Sequence, residues 1–376
     1  MNKKIFIFIP SFESGGVERN AVIVANSLME KGYDVSVVYC RKINAQFTKL
    51  SKDIKKIKLN RLPYLPFIHE RIVDAVSSAL FGFFVLQKIV DNKSVMISFQ
   101  SNVVAIVLAK LLRVKVIVRL SNHYSNVEFE KSKLRKISEY LKKILYKRAD
   151  VVIANSQELA DDYSRVLECP VQVVYNPIDI DGVKHKAKKP IFDEIFIKKN
   201  KPVIIGIGRL CVQKNFGFLI RSFAKSIQKV DAYLVIIGEG SERQKLEKLI
   251  KSLNLEGSVI LMGHKDNVFP YLKRSDIFVL SSLYEGMPNA LIEAVALKIP
   301  SISTNIKTGP KEILLNGEGG RLVEVNNIDD LRKAIVFRLL EQEVAQKAAE
   351  NSFSQLDRFS MDGMILRYKN IIEGFK

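Results

Sequence analysis

The chain has 376 residues, of which 47% are hydrophobic, and 59 Lys and Arg residues against 40 Asp and Glu give a formal net charge of +19. A chain of this length and composition can build two or three packed domains, which excludes a disordered tail protein. The positive charge predicts an anionic partner, for which nucleic acid, phospholipid headgroups and phosphorylated small molecules are the candidates.

Cysteine usage and the N-terminal residues indicate a protein of the reducing cytoplasm. Cys40, Cys169 and Cys211 lie far apart in the sequence, which fits neither a disulfide framework nor a CxxC zinc site. The apolar run Ile5–Ile9 is too short for the core of a signal peptide. The uncharged stretch Ala75–Leu86 is also well short of the ~20 residues that cross a bilayer. We therefore expect no export and no membrane span, although the protein could lie against a membrane.

Short apolar runs rich in Val and Ile alternate with segments of helical periodicity along nearly the whole sequence. This order predicts α/β folding, and the continuous apolar runs predict parallel strands that are covered by helices on both faces of a sheet. The predicted strands are Lys4–Ile9, Asp34–Tyr39, Ser94–Phe99, Lys115–Leu120, Val151–Ala154 and Val171–Val174, then Val203–Ile207, Tyr233–Ile237, Ser258–Met262, Ile277–Leu280 and Pro300–Thr304.

The alternation breaks around residues 175–200. Asn176-Pro177, Gly182, a Lys-rich run and Pro190 in this stretch are typical of a linker. We therefore predict two Rossmann-like, doubly wound domains that face each other across a cleft, one over residues 1–182 and the other over residues 190–359. A helix within residues 360–376 is predicted to return to the first domain.

The first candidate binding element is the turn at Gly15-Gly16, between the first strand and the first helix. Backbone amides at a helix N-terminus bind phosphate, and glycine lets a ligand approach closely. The dinucleotide-binding fingerprint GxGxxG is absent, which argues against an NAD site. Taken alone, the two glycines also fit a plain tight turn.

The second candidate element follows the predicted strand Val203–Ile207. Arg209 can contact two phosphate oxygens at once, and Lys214 adds a point charge near the start of the next predicted helix. Two cations at this place predict a diphosphate site. The alternative is a pair of solvated surface charges.

The third candidate element contains two carboxylates. Glu285 follows the strand Ile277–Leu280 in a loop, and Glu293 lies one turn inside a helix that is predicted to begin near Pro288 or Asn289. Both carboxylates could accept hydrogen bonds from the hydroxyls of one ligand. As an alternative, Glu285 could cap the helix and Glu293 could face solvent. The neighbours of Glu293 are Ala, Leu and Val, among which an unpaired charge is costly, so the ligand-binding role is favoured.

In order and spacing, these three elements resemble the retaining GT-B glycosyltransferases of glycosyltransferase family 4, the group 1 transferases. Gly238-Glu239-Gly240 and Gly263-His264 are part of the same pattern. The resemblance covers essentially the whole chain, and its best marker is the pair Glu285 and Glu293. It implies an acceptor-side first domain, a nucleotide-sugar-binding second domain, and transfer of a sugar with retention at the anomeric carbon. It implies no metal or other cofactor.

The resemblance also implies a role for individual residues. The predicted catalytic residues are His123, Glu285, Arg209 and Lys214. Arg209 and Lys214 would hold the donor diphosphate, Glu285 would face the transferred sugar, and Glu293 would bind the ribose. The remaining predicted donor-binding residues are Gly15 and Gly16 for the diphosphate, Met287, Pro288, Asn289 and Ala290 for sugar and phosphate, and Gly263, His264 and Lys265 for the nucleobase.

The acceptor side is predicted to include a basic amphipathic helix within residues 130–148. Its apolar stripe could simply pack into the core with the lysines solvated. In the functional interpretation the helix lies on anionic lipid or binds a lipid-linked diphosphate. The predicted membrane- or acceptor-contacting residues are Lys131, Lys133, Arg135, Lys136, Lys142 and Lys143.

The sequence thus predicts a retaining hexosyl- or N-acetylhexosaminyltransferase of cell-surface glycan synthesis, such as lipopolysaccharide, O-antigen or capsule. Its expected partners are a nucleotide-sugar, with UDP favoured, a lipid-linked or glycan acceptor, and the anionic inner face of the cell membrane. A nucleotide-sugar epimerase of the same architecture is one alternative, which the spacing of Glu285 and Glu293 disfavours. A nucleic-acid-binding protein is the other, and no recognised binding motif supports it. Asp179-Ile180-Asp181 resembles a metal-binding DxD motif, but we expect no metal at a linker.

Overall fold

A computed structural model of the chain describes residues 3–12, 15–42, 47–63, 70–121 and 142–375. The chain divides into two compact units. The first consists of Met1–Pro177 with Asp362–Lys376, and the second consists of Ile178–Met361. Each unit is built on a parallel β-sheet packed against helices. The predicted α/β class with doubly wound, Rossmann-like sheets is confirmed for each unit.

The first unit has a seven-stranded parallel sheet in the order β5-β3-β1-β6-β7-β8-β9. Its strands are β1 (Lys4–Phe8), β3 (Asp34–Tyr39), β5 (Lys55–Lys58), β6 (Val95–Ser98), β7 (Lys115–Leu120), β8 (Val151–Ala154) and β9 (Val171–Val173), and β2 (Ser11–Phe12) pairs separately with β4 (Arg41–Lys42). The edge strand β5 was not predicted. Its sequence KKIK is largely exposed, so it lacks the apolar run that marks the other strands.

Helices cover both faces of this sheet because successive residues of each strand point to opposite sides. Ile5 and Ile7 pack with helix α1 (Gly16–Glu30) and with the C-terminal helix Met361–Glu373. Phe6 and Phe8 pack on the other face with helix α3 (Asn102–Leu112) and with helix Gln157–Leu167. Helix α2 (Glu70–Leu86) lies beside α3. No helix among the described ranges is both long and apolar enough to span a bilayer.

The second unit has a six-stranded parallel sheet in the order β12-β11-β10-β13-β14-β15. Its strands are β10 (Val203–Ile207), β11 (Tyr233–Ile237), β12 (Val259–Leu261), β13 (Ile277–Leu280), β14 (Ser301–Thr304) and β15 (Arg321–Val323). Its helices are Ile180–Ala187, Glu194–Lys198, Phe216–Ser226, Arg243–Ser252, Phe269–Lys273, Asn289–Ala296, Pro310–Ile313, Ile328–Leu340 and Gln342–Ser354. The last strand, β15, has only three residues and was not predicted.

The stretch predicted to be a linker is folded, which corrects that prediction. Helix Ile180–Ala187 begins directly after Asp179, whose side chain accepts a hydrogen bond from the Gly182 amide at 2.9 Å. A second helix, Glu194–Lys198, follows. Both helices belong to the second unit, so the first boundary lies after residue 177 instead of 182. Proline and glycine correctly mark a break in the chain, but a capped helix begins only a few residues later.

In each sheet the strand order reverses at one place, between β1 and β6 in the first unit and between β10 and β13 in the second. The connections on the two sides of such a point run to opposite faces of the sheet. This leaves a crevice at the carboxyl ends of the strands, where α/β proteins bind ligands. In the second unit, the loops at this point contain Lys214 after β10 and Glu285 after β13.

Candidate functional site

The loop after β10 presents one exposed cation. Arg209 follows Gly208 and is exposed, and its guanidinium has no hydrogen-bond or ion-pair partner among the residues that the structure describes. A guanidinium offers five N–H donors in a planar fork that matches phosphate oxygens. Arg209 is therefore available to an anionic ligand without first breaking a contact to another described residue.

The second cation, Lys214, is paired with Glu285. Lys214 Nζ lies 2.6 Å from Glu285 Oε1, and the two side chains are 16% and 11% exposed. Ser282 Oγ donates to the same carboxylate oxygen at 2.7 Å, and Gln213 Nε2 lies 3.4 Å from the other one, Oε2. The carboxylate is thus fixed by three donors in a largely dehydrated place. The predicted diphosphate-binding and sugar-facing residues are in direct contact.

Further hydrogen bonds hold the two loops against each other. Gln213 Nε2 donates to the Tyr284 carbonyl at 2.9 Å, and the Gln213 carbonyl accepts from the Leu283 amide at 2.8 Å. Ser281 Oγ donates to the Lys214 carbonyl at 2.7 Å, and Thr308 Oγ1 donates to the Glu285 carbonyl. These bonds join backbone as well as side chains, so the positions of Lys214 and Glu285 are set by the fold.

Helix Asn289–Ala296 begins directly after this loop. Pro288 stands at its N-cap with φ −75°, and its own side chain makes no capping hydrogen bond. The N-terminus is the positive end of the helix dipole, and this end attracts anions. Met287 and Pro288 are buried, whereas Asn289 and Ala290 are half-buried.

Glu293 lies inside the same helix and is only 5% exposed. Its neighbours Ile292 and Ala294 are buried as well. The alternative that Glu293 faces solvent is therefore wrong. A buried carboxylate needs hydrogen-bond donors, which is consistent with a role in holding a ligand or the helix itself.

Glycines allow the loops of this region to approach closely. A Cβ at Gly238, after β11, would lie 1.8 Å from the Gly208 carbonyl oxygen, and one at Gly240 would lie 2.3 Å from the Leu210 oxygen. Gly309 has φ +92°, and its Cβ would lie 2.7 Å from Pro288 Cδ. Only glycine fits these places without displacement of the backbone.

The residues predicted to contact the nucleobase follow β12. Gly263 has φ +71°, and the exposed His264 ring lies 3.3 Å from Asp266 Oδ1. The Lys265 side chain contacts another group: its Nζ lies 3.7 Å from Asp193 Oδ1 and 5.3 Å from the centre of the Tyr271 ring. Partial burial lowers the pKa of Lys265, but hydrogen bonding to Tyr271 and the Asp193 charge outweigh it and raise the pKa above its usual value. The ammonium therefore stabilises this cluster.

In the first unit, a carboxylate lies at the predicted phosphate-binding turn. Gly15 caps helix α1 with extended backbone, and Glu18 in the first turn folds back over it. Glu18 Oε2 would lie 2.7 Å from a Cβ at Gly15, and Gln100 Nε2 donates to Oε1 at 2.7 Å. Glu18 is 4% exposed. Its charge already balances the positive end of α1, so a phosphate at the Gly16 amide would meet electrostatic repulsion. The sequence interpretation did not assign this role to Glu18.

Several predicted residues lie outside the described residues: His123, Lys131, Lys133, Arg135 and Lys136. Lys142 and Lys143 belong to helical residues 142–146 and are half-buried. Lys143 Nζ lies 3.1 Å from Glu168 Oε1, and Lys147 Nζ lies 2.7 Å from Oε2. Lys143 is therefore part of a surface ion-pair cluster.

Metal-binding clusters and disulfides are absent from the part of the chain that the structure describes. No group of three His, Cys, Asp or Glu residues there could hold a metal ion, and Asp179 of the DxD motif caps a helix. Cys40, Cys169 and Cys211 are free thiols. Burial raises the pKa of Cys40 and of Cys169, which disfavours the reactive thiolate.

Comparison with known proteins supports a single family. Residues 14–181 match Glycosyltransferase Family 4, and residues 187–355 match Glycosyl transferases group 1. The chain is 35% identical over 267 residues to an uncharacterized glycosyltransferase of Methanocaldococcus jannaschii. The aligned region covers 62% of this chain and 65% of that protein. It is 28% identical over 365 residues, 93% of each chain, to the N-acetylgalactosamine-N,N'-diacetylbacillosaminyl-diphospho-undecaprenol 4-alpha-N-acetylgalactosaminyltransferase of Campylobacter jejuni.

A solved structure extends the similarity to the whole fold. HepE of Anabaena in complex with UDP superposes with a TM-score of 0.79 over 99% of this chain and 100% of that chain, at 18% sequence identity. Both sheets and both sequence matches thus lead to the same group, and the predicted resemblance is confirmed. The chain belongs to the group 1 glycosyltransferases of glycosyltransferase family 4 and has the GT-B fold.

Proposed function

We propose that this protein is a retaining glycosyltransferase that moves a hexosyl or N-acetylhexosaminyl group from a UDP-sugar to a lipid-linked acceptor in cell-surface glycan synthesis. The observation that carries the proposal is the ion pair of Lys214 and Glu285, which joins the loops after β10 and β13. Arg209 lies in the first of these loops, and helix Asn289–Ala296 begins after the second. UDP is supported by its presence in HepE, and the acceptor class is supported by the C. jejuni relative that acts on a diphospho-undecaprenol.

The cations of this cluster suit the departure of a diphosphate. Negative charge develops on the leaving group as the sugar–phosphate bond breaks, and prearranged positive groups stabilise that charge. Arg209 supplies an available guanidinium, and Lys214 supplies an ammonium held in place by Glu285. The end of helix Asn289–Ala296 adds backbone dipoles that need no rearrangement. No metal is needed in this proposal.

We assign Glu285 to binding of the transferred sugar rather than to attack on it. Oε1 already accepts hydrogen bonds from Lys214 and Ser282, whereas Oε2 has only the long contact to Gln213. Because Oε1 is occupied by these two donors, Oε2 is the oxygen left to accept a hydrogen bond from a sugar hydroxyl. This arrangement supports retention through an ion-pair-like transition state on one face of the sugar, with no covalent intermediate. The buried Glu293 is assigned to the ribose hydroxyls.

We place this enzyme at the inner face of the cell membrane, attached peripherally. Three free thiols are typical of a reducing compartment. The net charge of +19 favours contact with anionic lipid. A lipid-linked acceptor would be presented at that surface.

Nucleotide binding by the full chain tests the proposal. UDP, GDP and ADP are each added to the wild type and to Arg209→Ala, and the shift in the melting temperature is measured. A ligand at 100 times its dissociation constant adds about 2.7 kcal/mol to the free energy of unfolding. We expect UDP to give the largest shift and Arg209→Ala to lose most of it.

Arg221→Ala is the matched control, since Arg221 is an exposed arginine on the following helix, Phe216–Ser226. It should keep the full UDP shift. An unchanged UDP shift in Arg209→Ala would contradict the diphosphate role, and a wild type insensitive to all three nucleotides would contradict the donor class.

A further inference from the structure

An arginine occupies a core-facing position of helix Ile328–Leu340 in the second unit. The buried residues of this helix are spaced three or four apart, and they are Leu331, Ala334, Ile335, Arg338 and Leu339. Arg338 is 7% exposed, whereas Phe337 and Leu340 beside it are 50% and 66% exposed. A surface helix ordinarily turns its apolar side inward and its charges outward. The arrangement is reversed at this end of the helix, so the buried charge needs an explanation.

No described residue compensates the charge of Arg338. Its Nε is enclosed without a hydrogen-bond partner, and its guanidinium forms no hydrogen bond or ion pair with the described residues. Glu341, three residues later, is exposed and forms no ion pair with them either. The second unit, Ile178–Met361, lies wholly within the described residues. Every acidic residue of that unit is therefore accounted for.

A buried charge without a partner is costly because it loses its hydration. A buried lysine can escape by losing its proton, but a guanidinium stays protonated in proteins. Burial lowers the pKa of Arg338, and the positive charge of Arg321 lowers it further. Arg338 lies in the last turn of its helix, where the dipole favours a cation. The dipole equals only about half a charge, so it does not replace an anion.

Arg321 supplies a second guanidinium next to Arg338. It is the first residue of β15, and its side chain is 56% exposed. Only Nη2 contacts an acid, Asp330, at 3.3 Å. A guanidinium binds oxygen pairs in a planar fork. The tetrahedral oxygens of phosphate can meet two such forks from different sides, whereas the two oxygens of a carboxylate lie along one edge. The pair of arginines therefore suits phosphate.

This place is separate from the donor site. Helix Ile328–Leu340 begins after a loop in which Asn326 accepts a hydrogen bond from Asn215, the neighbour of Lys214, at 2.8 Å. Arg338 lies about 15 Å further along the helix, at 1.5 Å per residue. Arg321 stands at the amino end of a parallel strand, whereas the donor-site loops follow carboxyl ends. The two arginines thus lie toward the opposite edge of the sheet.

We propose that Arg338 and Arg321 form a binding site for a phosphate group, separate from the donor diphosphate site. The ligand is inorganic phosphate or the phosphate group of a small molecule. It supplies the negative charge that the described chain does not place beside Arg338. The inference goes beyond the proposed function, because it depends on neither the donor nor the acceptor.

Calorimetric titration of the full chain with inorganic phosphate tests the proposal, with chloride keeping the ionic strength constant. The wild type should bind phosphate, and Arg338→Met should bind it at least tenfold more weakly, since a charge-assisted contact is lost. Arg321→Met should weaken binding as well, and it leaves the core untouched because Arg321 is exposed. Arg209→Ala should keep this binding, which identifies it as separate from the donor site.

Lys333→Met is the matched control, because Lys333 is an exposed cation on the same helix and its replacement removes the same charge. It should bind phosphate like the wild type. Equal affinities of Arg338→Met and Lys333→Met would overturn the proposal. So would acetate binding as strong as phosphate binding, which indicates general attraction of anions. Glycerol phosphate, titrated in parallel, tells whether the site also takes the phosphate group of an organic molecule.

Thermal melting gives a second readout. In phosphate-free buffer Arg338→Met should melt no lower than the wild type, since an apolar side chain of similar length replaces an unpaired charge. Phosphate at 100 times its dissociation constant should raise the melting temperature of the wild-type second unit by about 5–10 °C and leave that of Arg338→Met unchanged. If Arg338→Met melts well below the wild type without phosphate, the chain itself compensates Arg338 and the proposal is wrong.

The UDP-induced melting shift separates this proposal from the proposed function. Arg338→Met should keep the full UDP shift, because the phosphate site is distinct from Arg209 and Lys214. Loss of the UDP shift in Arg338→Met would merge the two sites and overturn the proposal. A wild type that binds phosphate through Arg338 but does not respond to UDP would refute the donor site and leave the phosphate site supported.

Discussion

Replacing Lys214 with methionine removes one charge from the most dehydrated ion pair of the candidate site. The variant keeps most of the side-chain volume but leaves the Glu285 carboxylate, 11% exposed, without its cation. Removal of one partner of a fully buried pair costs roughly 3–5 kcal/mol. Water reaches part of this pair, and Ser282 and Gln213 still donate to Glu285. We therefore expect the free energy of unfolding to fall by about 1–3 kcal/mol.

The same substitution should weaken nucleotide binding for a separate reason. A charge-assisted hydrogen bond to phosphate contributes about 1.5–3 kcal/mol, so UDP should bind roughly 10- to 150-fold more weakly. Addition of Glu285→Gln to Lys214→Met removes the unpaired charge. The double variant should therefore recover most of the lost stability but none of the lost UDP affinity.

Amide hydrogen exchange in strands β10 and β13 measures the stability of the second unit by itself, and calorimetry measures UDP affinity. Lys225→Met is the control, because Lys225 and Asp329 form an exposed pair at 3.5 Å that should contribute at most about 0.5 kcal/mol. Our reasoning is refuted if Lys214→Met destabilises no more than Lys225→Met. Recovery of UDP affinity in the double variant would refute the diphosphate role of Lys214.

Two further predictions concern packing and pH. Gly238→Ala should prevent the second unit from folding correctly, since its Cβ would lie 1.8 Å from a carbonyl oxygen. Gly257→Ala is the control, because Gly257 has open space around it. This control should leave the melting temperature within a few degrees of wild type. A melting temperature of Gly238→Ala close to wild type would contradict the close approach of the loops. Hydrogen bonds from Lys147 and Lys143 lower the pKa of Glu168 to about 2, from a usual value of 4.5. The stabilising contribution of the Glu168 ion pairs should be complete above pH 4.5 and lost as the pH falls through about 2. A carboxyl NMR titration at low salt that gives Glu168 a pKa near 4.5 would exclude this contribution.

The sequence predicts elements well where one physical signal dominates. Strands such as Lys115–Leu120 are apolar throughout because both sheet faces are covered, and their observed bounds agree with the prediction. Strand β5 is not predicted because its lysines face solvent at the sheet edge. The linker prediction fails because Pro177 and Gly182 signal a turn, whereas the hydrogen bond by which Asp179 caps the next helix depends on geometry.

In the candidate site, the sequence reveals the charged residues, whereas only the fold reveals which of them are in contact. Lys214 and Glu285 stand out in the sequence as charged residues at strand ends, but they are 71 residues apart, so their contact follows from the pairing of β10 with β13. Ser282 and Gln213 are neutral and give no comparable signal. The pairing also excludes, for Lys214, the alternative of a solvated surface charge.

The C-terminal helix determines when the first unit can be completed during synthesis. Met364 and Tyr368 belong to the same core cluster as Ile5 and Ile7, so residues more than 350 positions apart must meet. The second unit, a continuous stretch from Ile178 to Met361, leaves the ribosome before that helix does. At about 5–20 residues per second, residues 1–177 wait on the order of 10–40 s for their last core element. During that interval the nascent chain exposes part of the apolar core that this helix later completes, and it is then most in need of a chaperone.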